Sequence, residues 1–597
     1  MKAEGVQPGA ALARQINECA ALAQRDPAKA SQRVARLLKS NPRVAALHTL
    51  SAMLASNTGR RDRAVHHARR AAELAPEDPE THAMLGTVHA RGAEYDEARA
   101  HVARALELAP EHAGALAGLG TALSQTGAFA EARRVLQTVH ERNPKLPDAL
   151  VNRALLELDT THAARAIEIL ESAPDSLRAH PYVLDLLALA HTYDDTKTPE
   201  QVFEAHKRFG DELARHIEPI ARHPNDPDPD RRLRVAYLSC DLRRHSIAYF
   251  LEPLLEHHDA GAFEIHALMT TPDLDAVSER MRAHVHKWHD ASSLSNPQLT
   301  RLITDQRIDI LVELTGHFVG HKLPVLAARP APVQVSFIGY ANTTGTDRID
   351  ARFVDEITDP PPRADARATE TLVRLPHCFL CYKPDPDAPE PAEPDPDRPV
   401  TIGSFNNLAK LSDPTLGVWS RVLRERPDAR LMLKATRLDH GELRDELLAR
   451  FEELGVERER LDLRGSAPRF TDHLAMYDEL DAALDSFPYN GTTTTCEALW
   501  MGVPTVTLTG ETHAGRVGAS LLTAAGLDDW ITETQDDYAA RALAAIDEGV
   551  RGRDQRLALR ERVASSTLCD ASSYAPRVES AYRALWKSWC ASRGSAP

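Results

Sequence analysis

The first third of the chain places apolar residues at the spacing of an amphipathic helix, and this pattern recurs at a fixed period. The segments EARAHVARALELAP (97–110) and EARRVLQTVHERNP (131–144) each carry an apolar face that one helix cannot bury alone. Proline and alanine recur every 34 residues, at Pro42, Pro76, Pro110 and Pro144 and at Ala30, Ala64, Ala98, Ala132 and Ala166. This period, with small residues at helix crossings and proline after the second helix, is typical of tetratricopeptide repeats. We therefore predict an α-helical superhelix of stacked repeats over residues 10–180.

The apolar pattern changes after a connecting segment at 181–232, which ends in the stretch HPNDPDPDRR. Short apolar runs now alternate with helical segments, which predicts parallel strands joined by helices. The runs are LRVAYLS (233–239), FEIHALMT (263–270), IDILVEL (308–314), VQVSFIG (333–339), VTIGSFN (400–406), ARLMLKA (429–435), LDLRG (461–465), AALDSF (482–487) and TVTLTG (505–510). The proline-rich residues 383–399 divide them into two groups.

The predicted fold class is therefore an α superhelix followed by α/β, with two doubly wound domains in series. The first domain spans 233–383, and the second spans 400–597 and includes the C-terminal helices. Ligands bind at the carboxyl ends of the strands in such sheets, so we expect a binding cleft between the two domains.

Amino-acid composition and net charge argue against some classes of binding partner and cellular location. The 597 residues are 43% apolar and 26% charged, with a formal net charge of −16, which is the balance of a globular protein with an acidic surface. That charge argues against nucleic acid as a partner, and no apolar run is long enough to suggest a membrane span. Seven cysteines do not suggest a disulfide framework, so we expect a cytoplasmic protein. Cys378 and Cys381 lack a second pair, and no metal site is predicted.

The stretch FPYNGTTTTCEALWMGVP (487–504) contains four consecutive threonines between a predicted strand and a predicted helix. The backbone N–H groups at a helix N-terminus lack internal partners and lie at the positive end of the helix dipole, which favours an anion. Ordinary N-capping needs one threonine. Four threonine hydroxyls at that position favour a phosphate-binding site.

Lys410 follows the first strand of the second domain, in SFNNLAK (404–410), and so lies at the same edge of the predicted sheet. A lysine there can neutralise a diphosphate leaving group, as a metal ion does elsewhere. Taken alone, a lysine such as Lys410 is more often a solvated surface residue.

Several of these segments resemble the SPINDLY and protein O-GlcNAc transferase family, glycosyltransferase family 41. The segments are LVELTGH (311–317), RPAPVQVSFIGYANTTG (329–345), GSFNNLAK (403–410), SFPYNGTTTTCEALWMGVP (486–504) and GETHAGRVGASLL (510–522). The resemblance implies a tetratricopeptide superhelix fused to a GT-B fold of two Rossmann-like domains, an acceptor side and a nucleotide-sugar donor side. It implies an inverting, metal-independent transfer of a sugar from a nucleotide diphosphate donor to Ser or Thr hydroxyls of proteins.

The resemblance also implies roles for residues on the donor side. Lys410 matches the family lysine that contacts the donor phosphates, and Asn407 matches a neighbouring polar donor contact. The helix-mouth phosphate binders match Thr493, Thr494 and Thr495. Glu497 stands where the family has an acidic residue that hydrogen-bonds the ribose. His473 matches the histidine that packs on the nucleobase.

The reacting centre has several candidate histidines. His245, in SCDLRRHSIAYF, matches a family histidine that faces the reaction and is the candidate general base. A mechanism in which a donor phosphate oxygen or water takes the proton stays open. His317, after the predicted strand ILVELTG, is a candidate for binding acceptor or sugar. His513 and Arg516 begin the helix after TVTLTG and are candidates for contacting sugar or phosphate.

The donor is either UDP-GlcNAc or GDP-fucose. O-GlcNAc transferases tend to have arginine three residues beyond the base-stacking histidine, whereas this chain has Met476, and its TTTTCE and NNLAK strings are closer to SPINDLY, whose plant members use GDP-fucose. No cofactor is expected beyond this nucleotide-sugar co-substrate. We expect protein or peptide substrates in the repeat groove and consider a homodimer. Two other functions stay open: an interaction scaffold with a degenerate catalytic half, and a GT-B enzyme with a small-molecule acceptor.

Overall fold

The structure is a computed structural model that describes residues 6–25, 27–57, 60–92, 94–110, 112–393, 395, 397–548 and 552–594. Its first part is a stack of helix pairs: α1 (Ala10–Arg25), α2 (Pro27–Ser40), α3 (Ala45–Asn57), α4 (Arg61–Leu74), α5 (Pro79–Arg91), α6 (Tyr95–Leu108), α7 (Ala113–Gln125), α8 (Phe129–Arg142), α9 (Pro147–Asp159), α10 (Ala163–Glu171), α11 (Pro181–Tyr193) and α12 (Pro199–His216). The small residues at helix crossings permit close approach, since a Cβ at Gly86 would lie 2.6 Å from Val102 Cγ2. Paired helices continue through His216, beyond the predicted repeat boundary at residue 180, and that boundary stays a prediction.

The first α/β domain is built on a parallel sheet in the order β3-β2-β1-β4-β5-β6-β7. Its elements are β1 (Leu233–Ser239), α13 (Ala248–His257), β2 (Phe263–Met269), α14 (Ala276–Ala283), β3 (Lys287–Asp290), α15 (Asn296–Asp305), β4 (Ile310–Glu313), α16 (Leu323–Ala327), β5 (Val333–Ser336), β6 (Ala351–Val354) and β7 (Thr371–Arg374). β1 and β4 pair directly, so the strand order reverses between them. This reversal creates the crevice in which doubly wound domains bind ligands.

The second α/β domain has a parallel sheet in the order β10-β9-β8-β11-β12-β13, which reverses between β8 and β11. Its elements are β8 (Val400–Ser404), α17 (Asp413–Glu425), β9 (Ala429–Lys434), α18 (Gly441–Glu453), β10 (Leu461–Arg464), α19 (Phe470–Ala475), β11 (Ala482–Leu484), α20 (Thr493–Trp500), β12 (Thr505–Leu508), α21 (Val517–Ala524), β13 (Ile531–Thr532), α22 (Gln535–Glu548), α23 (Arg553–Ala564) and α24 (Ala571–Gly594). Short 3-10 turns lie at Asp365–Arg367, Leu408–Lys410, Thr436–Asp439, Arg458–Arg460, Met476–Glu479, His513–Gly515 and Asp528–Trp530.

The last helix, α24, returns to the first domain and closes its core. Tyr582 and Trp586 of α24 are buried in one hydrophobic cluster with Tyr237 of β1, and the hydroxyls of Tyr237 and Tyr582 lie 3.2 Å apart. The two α/β domains are therefore joined by apolar packing of α24 outside the cleft. This packing fixes how their strand ends face each other.

The repeats also pack against both α/β domains. Tyr193, at the end of α11, stacks on Tyr489 of the second domain with ring centroids 5.0 Å apart. His162 Nε2 lies 3.0 Å from a carboxylate oxygen of Glu446 in α18. Asp185 of α11 pairs with His317 of the first domain. The superhelix is thus part of the walls around the cleft.

The predicted fold class is confirmed: helical repeats precede two Rossmann-like α/β domains. Each predicted run contains a strand, although most strands are shorter than the run. The strands β3, β6, β7 and β13 were not predicted. No helix in the described parts of the chain is long and apolar enough to cross a membrane.

Candidate active site

A cleft of about 510 Å³ lies where the carboxyl ends of the two sheets face each other. Its walls come from the loops after β1, β4 and β5 of the first domain, from the loops after β8, β11 and β12 of the second, and from the end of α11. Both points of strand-order reversal open into it, which is the placement expected for ligand binding in doubly wound domains.

The threonine stretch forms one wall of the cleft. Helix α20 begins at Thr493, and Thr492, Thr493 and Thr494 all line the cavity. Thr493 Oγ1 is buried and has no hydrogen-bond partner among the residues that the structure describes. Thr492 occupies the N-cap position, and its side chain makes no capping bond within the same described part. The unpaired N–H groups and the Thr493 hydroxyl thus leave donors for an anion in the cleft.

A network of buried polar groups holds this helix end in place. Asp485, directly after β11, accepts hydrogen bonds from Gly491 N (2.5 Å), from Asn406 Nδ2 (3.1 Å) and from Thr507 Oγ1 (2.8 Å). Asn406 in turn accepts a hydrogen bond from Thr494 Oγ1. Burial raises the pKa of Asp485 to about 6, although its N–H and hydroxyl donors oppose that change. The carboxylate therefore fixes the loop that presents the threonines.

Lys410 lies in the wall of the cleft, at the end of the 3-10 turn Leu408–Lys410. Its Nζ donates a hydrogen bond to Asn490 O at 2.7 Å and lies 4.2 Å from the ring centroid of Tyr489. Burial lowers the pKa of Lys410 to about 8, and Asp485 opposes this shift. The amine is still mostly charged at neutral pH, and an ammonium group has three donors, so it can bind further oxygen ligands. Asn407 also lines the cleft, and its Oδ1 caps the turn by accepting from Ala409 N at 3.1 Å.

His473 and Glu497 form a second group beside the threonine helix. His473 Nε2 lies 3.1 Å from a Glu497 oxygen, and the Tyr477 hydroxyl donates to the same oxygen at 3.4 Å. The ring of His473 lies 5.7 Å from the rings of Phe405 and Phe470. His473 Nδ1 is buried and has no partner in the described residues. An aromatic surface with one carboxylate suits a nucleobase and its ribose.

His245 enters the cleft from the loop after β1. Its side chain is 42% exposed, and its Nδ1 lies 4.0 Å from an Asp241 carboxylate oxygen. Burial among the surrounding atoms of the cleft lowers the pKa of His245, while Asp241 opposes the shift. The imidazole is consequently neutral at pH 7 and able to accept a proton.

His317 lies behind the wall of the cleft. It is 2% exposed, its Nδ1 lies 2.7 Å from Asp185 Oδ1, and its Nε2 lies 3.0 Å from Thr344 O. Both ring nitrogens are engaged, and the neighbouring Phe318 lines the cleft instead. The contact of His317 with acceptor or sugar stays a prediction, and the geometry gives this histidine a contact between the repeats and the first domain.

His513 and Arg516 are close in sequence, but of the two residues only His513 borders the cleft. His513 lines the cleft, and its Nδ1 lies 2.5 Å from Asp359 Oδ2. Arg516 donates from Nε to Ile357 O at 2.5 Å and lines a separate cavity that His513 also borders. A sugar or phosphate contact by either residue stays a prediction.

The structure therefore brings six of the predicted residues to one cleft: His245, Asn407, Lys410, Thr493, Thr494 and His513. His473 and Glu497 lie next to it, while Thr495 is 2% exposed and is not part of the cleft wall. Asn406, Asp485, Tyr489 and Tyr193 were not predicted. The signal for Asp485 was a carboxylate directly after a buried strand, whereas the approach of Tyr193 from α11 has no local signal.

The chain is similar to known proteins along most of its length. The glycosyl transferase family 41 model matches residues 212–383 and 394–578, and tetratricopeptide repeat models match 19–79, 49–113 and 89–154. The solved structure of a Thermobaculum terrenum O-GlcNAc transferase mutant is similar, with a TM-score of 0.76 and 33% identity, covering 94% of this chain and 99% of that one.

Two curated plant proteins are also similar. An Arabidopsis thaliana protein described as "Probable UDP-N-acetylglucosamine--peptide N-acetylglucosaminyltransferase SPINDLY" is 40% identical over 68% of this chain and 45% of its own length. A second Arabidopsis thaliana protein, described as "Probable UDP-N-acetylglucosamine--peptide N-acetylglucosaminyltransferase SEC", is 28% identical over 60% of this chain and 38% of its own length. The chain spans less than half of the length of these curated relatives.

Proposed function

The chain belongs to glycosyl transferase family 41, and we propose that it is a protein O-glycosyltransferase. It transfers a sugar from a nucleoside diphosphate sugar to a Ser or Thr hydroxyl of a polypeptide, with inversion and without a metal ion. One observation carries this proposal. In a single cleft, a helix N-terminus and a lysine on one side face a histidine with a lowered pKa on the other, and the helix end carries a buried hydroxyl that has no partner among the described residues.

The second domain binds the donor. The diphosphate lies at the start of α20, where the backbone N–H groups and Thr493 Oγ1 supply donors and Lys410 supplies charge. The nucleoside extends toward the aromatic surface of Phe405 and His473, with the Glu497 carboxylate available to a ribose hydroxyl. Asn407 lines the path between them.

The leaving group is stabilised by groups that are fixed before the reaction. As the bond between the anomeric carbon and the diphosphate oxygen breaks, its electron pair stays on that oxygen. The ammonium of Lys410 and the positive end of α20 lie where this charge develops, and their positions are set by Asn490 O and by the Asp485 network. Charge stabilisation of this kind needs no reorganisation at the moment of reaction.

The acceptor side supplies the base. The acceptor hydroxyl oxygen attacks the anomeric carbon from the face opposite the diphosphate, which inverts the configuration, and its proton passes to neutral His245. Asp241, 4.0 Å from the ring, favours the imidazolium that forms. The exposed position of His245 leaves room for a polypeptide chain beside it.

The repeats present the acceptor. Tyr193 of α11 lines the cleft and stacks on Tyr489, on whose ring Lys410 also lies. The end of α11 thus lies at the place of reaction, and we infer that a polypeptide bound along the superhelix reaches it. This continuity favours a polypeptide acceptor over a small molecule, since a small acceptor would not need an extended concave surface.

Two donors are to be compared, UDP-GlcNAc and GDP-fucose. The relatives' descriptions name UDP-N-acetylglucosamine, and the 40% identity to SPINDLY over 68% of the chain exceeds the 28% to SEC over 60%. Met476 packs on the apolar cluster that includes Phe405 and Tyr477, so the surface beside His473 is apolar where the family's O-GlcNAc transferases tend to have arginine.

The test is a transfer assay with the full chain, a mixture of Ser/Thr-containing peptides and each donor in turn. We expect mass spectrometry to find one added sugar on Ser or Thr with one of the two donors, and no transfer by Lys410→Ala. Transfer with neither donor, despite intact folding, would argue for the scaffold function instead.

A further inference from the structure

A second cavity, of about 240 Å³, lies beside the cleft at the junction of three parts of the chain. It is bordered by the loop after β5, by β6 and the loop after it, by the loop after β12, and by the start of α12. His513 lies in the walls of both the cleft and this cavity. The volume is below the range of about 300–1,000 Å³ that is usual for drug-sized ligands, so a small ion fits better than a nucleotide.

Two buried side chains in its wall have hydrogen-bond donors to spare. Arg352, in the middle of β6, is 4% exposed, and its Nε and one terminal nitrogen have no partner among the described residues. Asn342 is 8% exposed, and its Nδ2 likewise lacks a partner in the described part of the chain. Leaving a buried charged donor unpaired is costly, so buried donors are nearly always hydrogen-bonded to protein groups, ordered water or a bound ion.

The charges around the cavity favour an anion. Arg352, Arg363, Arg367 and Arg516 are all in its wall, and the carboxylates there are Asp359 and Glu511. Asp359 is already engaged, since one oxygen accepts from Arg352 at 2.7 Å and the other lies 2.5 Å from His513 Nδ1. Against the effect of burial, these two partners hold the pKa of Asp359 well below its ordinary value. Arg367 is paired with Glu200 of α12 at 2.6 Å.

We propose that this cavity binds a small oxyanion of the phosphate class, held by Arg352 and Asn342 inside and by exposed Arg363 at the rim. Guanidinium groups bind phosphate oxygens through paired N–H donors, and an amide N–H₂ adds a further donor. The inference is independent of sugar transfer, because it concerns binding of an ion outside the cleft.

The test is isothermal titration of the full chain with inorganic phosphate in a phosphate-free buffer. Wild type should bind one phosphate in this cavity. Asn342→Asp should weaken that binding by about tenfold or more, because it replaces a donor with a negative charge of the same shape. The variant keeps the oxygen that accepts from Thr343 N at 2.8 Å, so its fold is preserved. Arg363→Gln, on the surface, should weaken binding severalfold.

Two controls separate the cavity from the cleft. Asn407→Asp adds the same charge to the cleft wall, and Lys410→Ala removes the cleft's cation, so both should retain the phosphate binding that Asn342→Asp loses. The inference is overturned if wild type binds no phosphate. It is equally overturned if the binding is lost in Lys410→Ala but kept in Asn342→Asp, since the ion would then lie in the cleft.

Discussion

The two α/β domains have the same strand order around their points of reversal, yet they hold their functional side chains in opposite ways. In the second domain, the loops after β8 and β11 are tied to each other through buried Asp485 and Asn406. In the first domain, the loop after β1 carries His245 with 42% of its side chain exposed. The same topology thus gives one rigid wall and one open wall.

In the first domain, buried polar contacts also tie the loop after β4 to the helices that precede the domain. Asp185 of α11 contacts His317 at 2.7 Å and His321 at 3.2 Å, both in the loop after β4. The difference suits the proposed reaction. A diphosphate has a fixed shape that rewards preorganisation, whereas a polypeptide acceptor needs access.

The largest effect on the transfer rate should come from removing the positive charge of the rigid wall. Lys410→Ala should lower kcat by about a thousandfold, the upper range for removing one group that stabilises developing charge. Steady-state kinetics with the preferred donor measures this, and the unfolding temperature should stay near wild type.

Lys322→Ala is the matched control for Lys410, since Lys322 is also half-buried and has a pKa lowered by burial, but lies outside the cleft. Equal loss of activity in both variants would mean that the effect of Lys410→Ala is structural.

On the open wall, His245→Gln should lower kcat by about a hundredfold, at the lower end of the range for a general base. Because the pKa of His245 is lowered, the wild-type rate should be constant through neutral pH and fall only below the ordinary histidine value of about 6.5. A pH–rate profile tests both points, because the acid limb should vanish in the variant. If the acid limb is unchanged in the variant, the proton is taken by a group other than His245. His216→Gln, which changes an exposed histidine outside the cleft, serves as the control.

Substitutions of single threonines at the start of α20 should have a smaller effect, on donor binding. Thr493→Val keeps the shape of the side chain but removes the unpartnered hydroxyl, and should weaken donor binding by about tenfold, as expected for one hydrogen bond to a charged group. Thr495→Val should change donor affinity little, since Thr495 lies behind the cleft wall. Titration with the donor nucleotide compares the two, and the reverse order would mean that the helix end binds its ligand through other groups.

The smallest effect on chemistry should come from Asp185→Asn, which removes the carboxylate that pairs with His317 and His321 of the first domain. Donor hydrolysis should be nearly unchanged, whereas the free energy of unfolding should fall by about 3 kcal/mol at pH 6, as for a buried ion pair that loses one partner.

The pH dependence of that loss follows from the two groups. Against the effect of burial, His321 holds the pKa of Asp185 well below its usual value, so its contribution is present above about pH 4. Asp185 raises the pKa of His321, so the pair's contribution is complete below about pH 6.5 and declines as pH rises through the raised value. The difference in unfolding free energy between wild type and variant should therefore decrease as pH rises through the raised pKa of His321, leaving the part that comes from the hydrogen bond of Asp185 with His317. A difference that does not change with pH would mean that the pair with His321 is not what the substitution removed.

Much of the fold could be predicted because short apolar runs mark buried strands. The run at 233–239 coincides with β1, for example. β3 has the sequence KWHD and lies at the sheet edge with its ends exposed, so it lacks any apolar run. The buried strand β6 was hidden by Arg352, a charge that local sequence places outside the core.

The candidate site was predictable where a residue follows a strand or begins a helix, as Lys410 and Thr493 do. The sequence could not show which of two neighbouring residues faces the cleft and which one faces the core. Asn406 is buried in the network, while adjacent Asn407 is exposed and caps a turn. His317 follows a strand as His245 does, but a carboxylate from a distant helix holds it away from the cleft.

The central claim is that the rigid wall binds the diphosphate of a nucleotide donor through Lys410 and the start of α20. Isothermal titration of UDP, GDP and the two nucleosides into wild type and Lys410→Ala tests it most directly. We predict that wild type binds one diphosphate tightly, and that Lys410→Ala weakens this binding by about tenfold or more while leaving nucleoside binding unchanged. Binding of neither diphosphate, or equal affinity in the variant, would contradict the account.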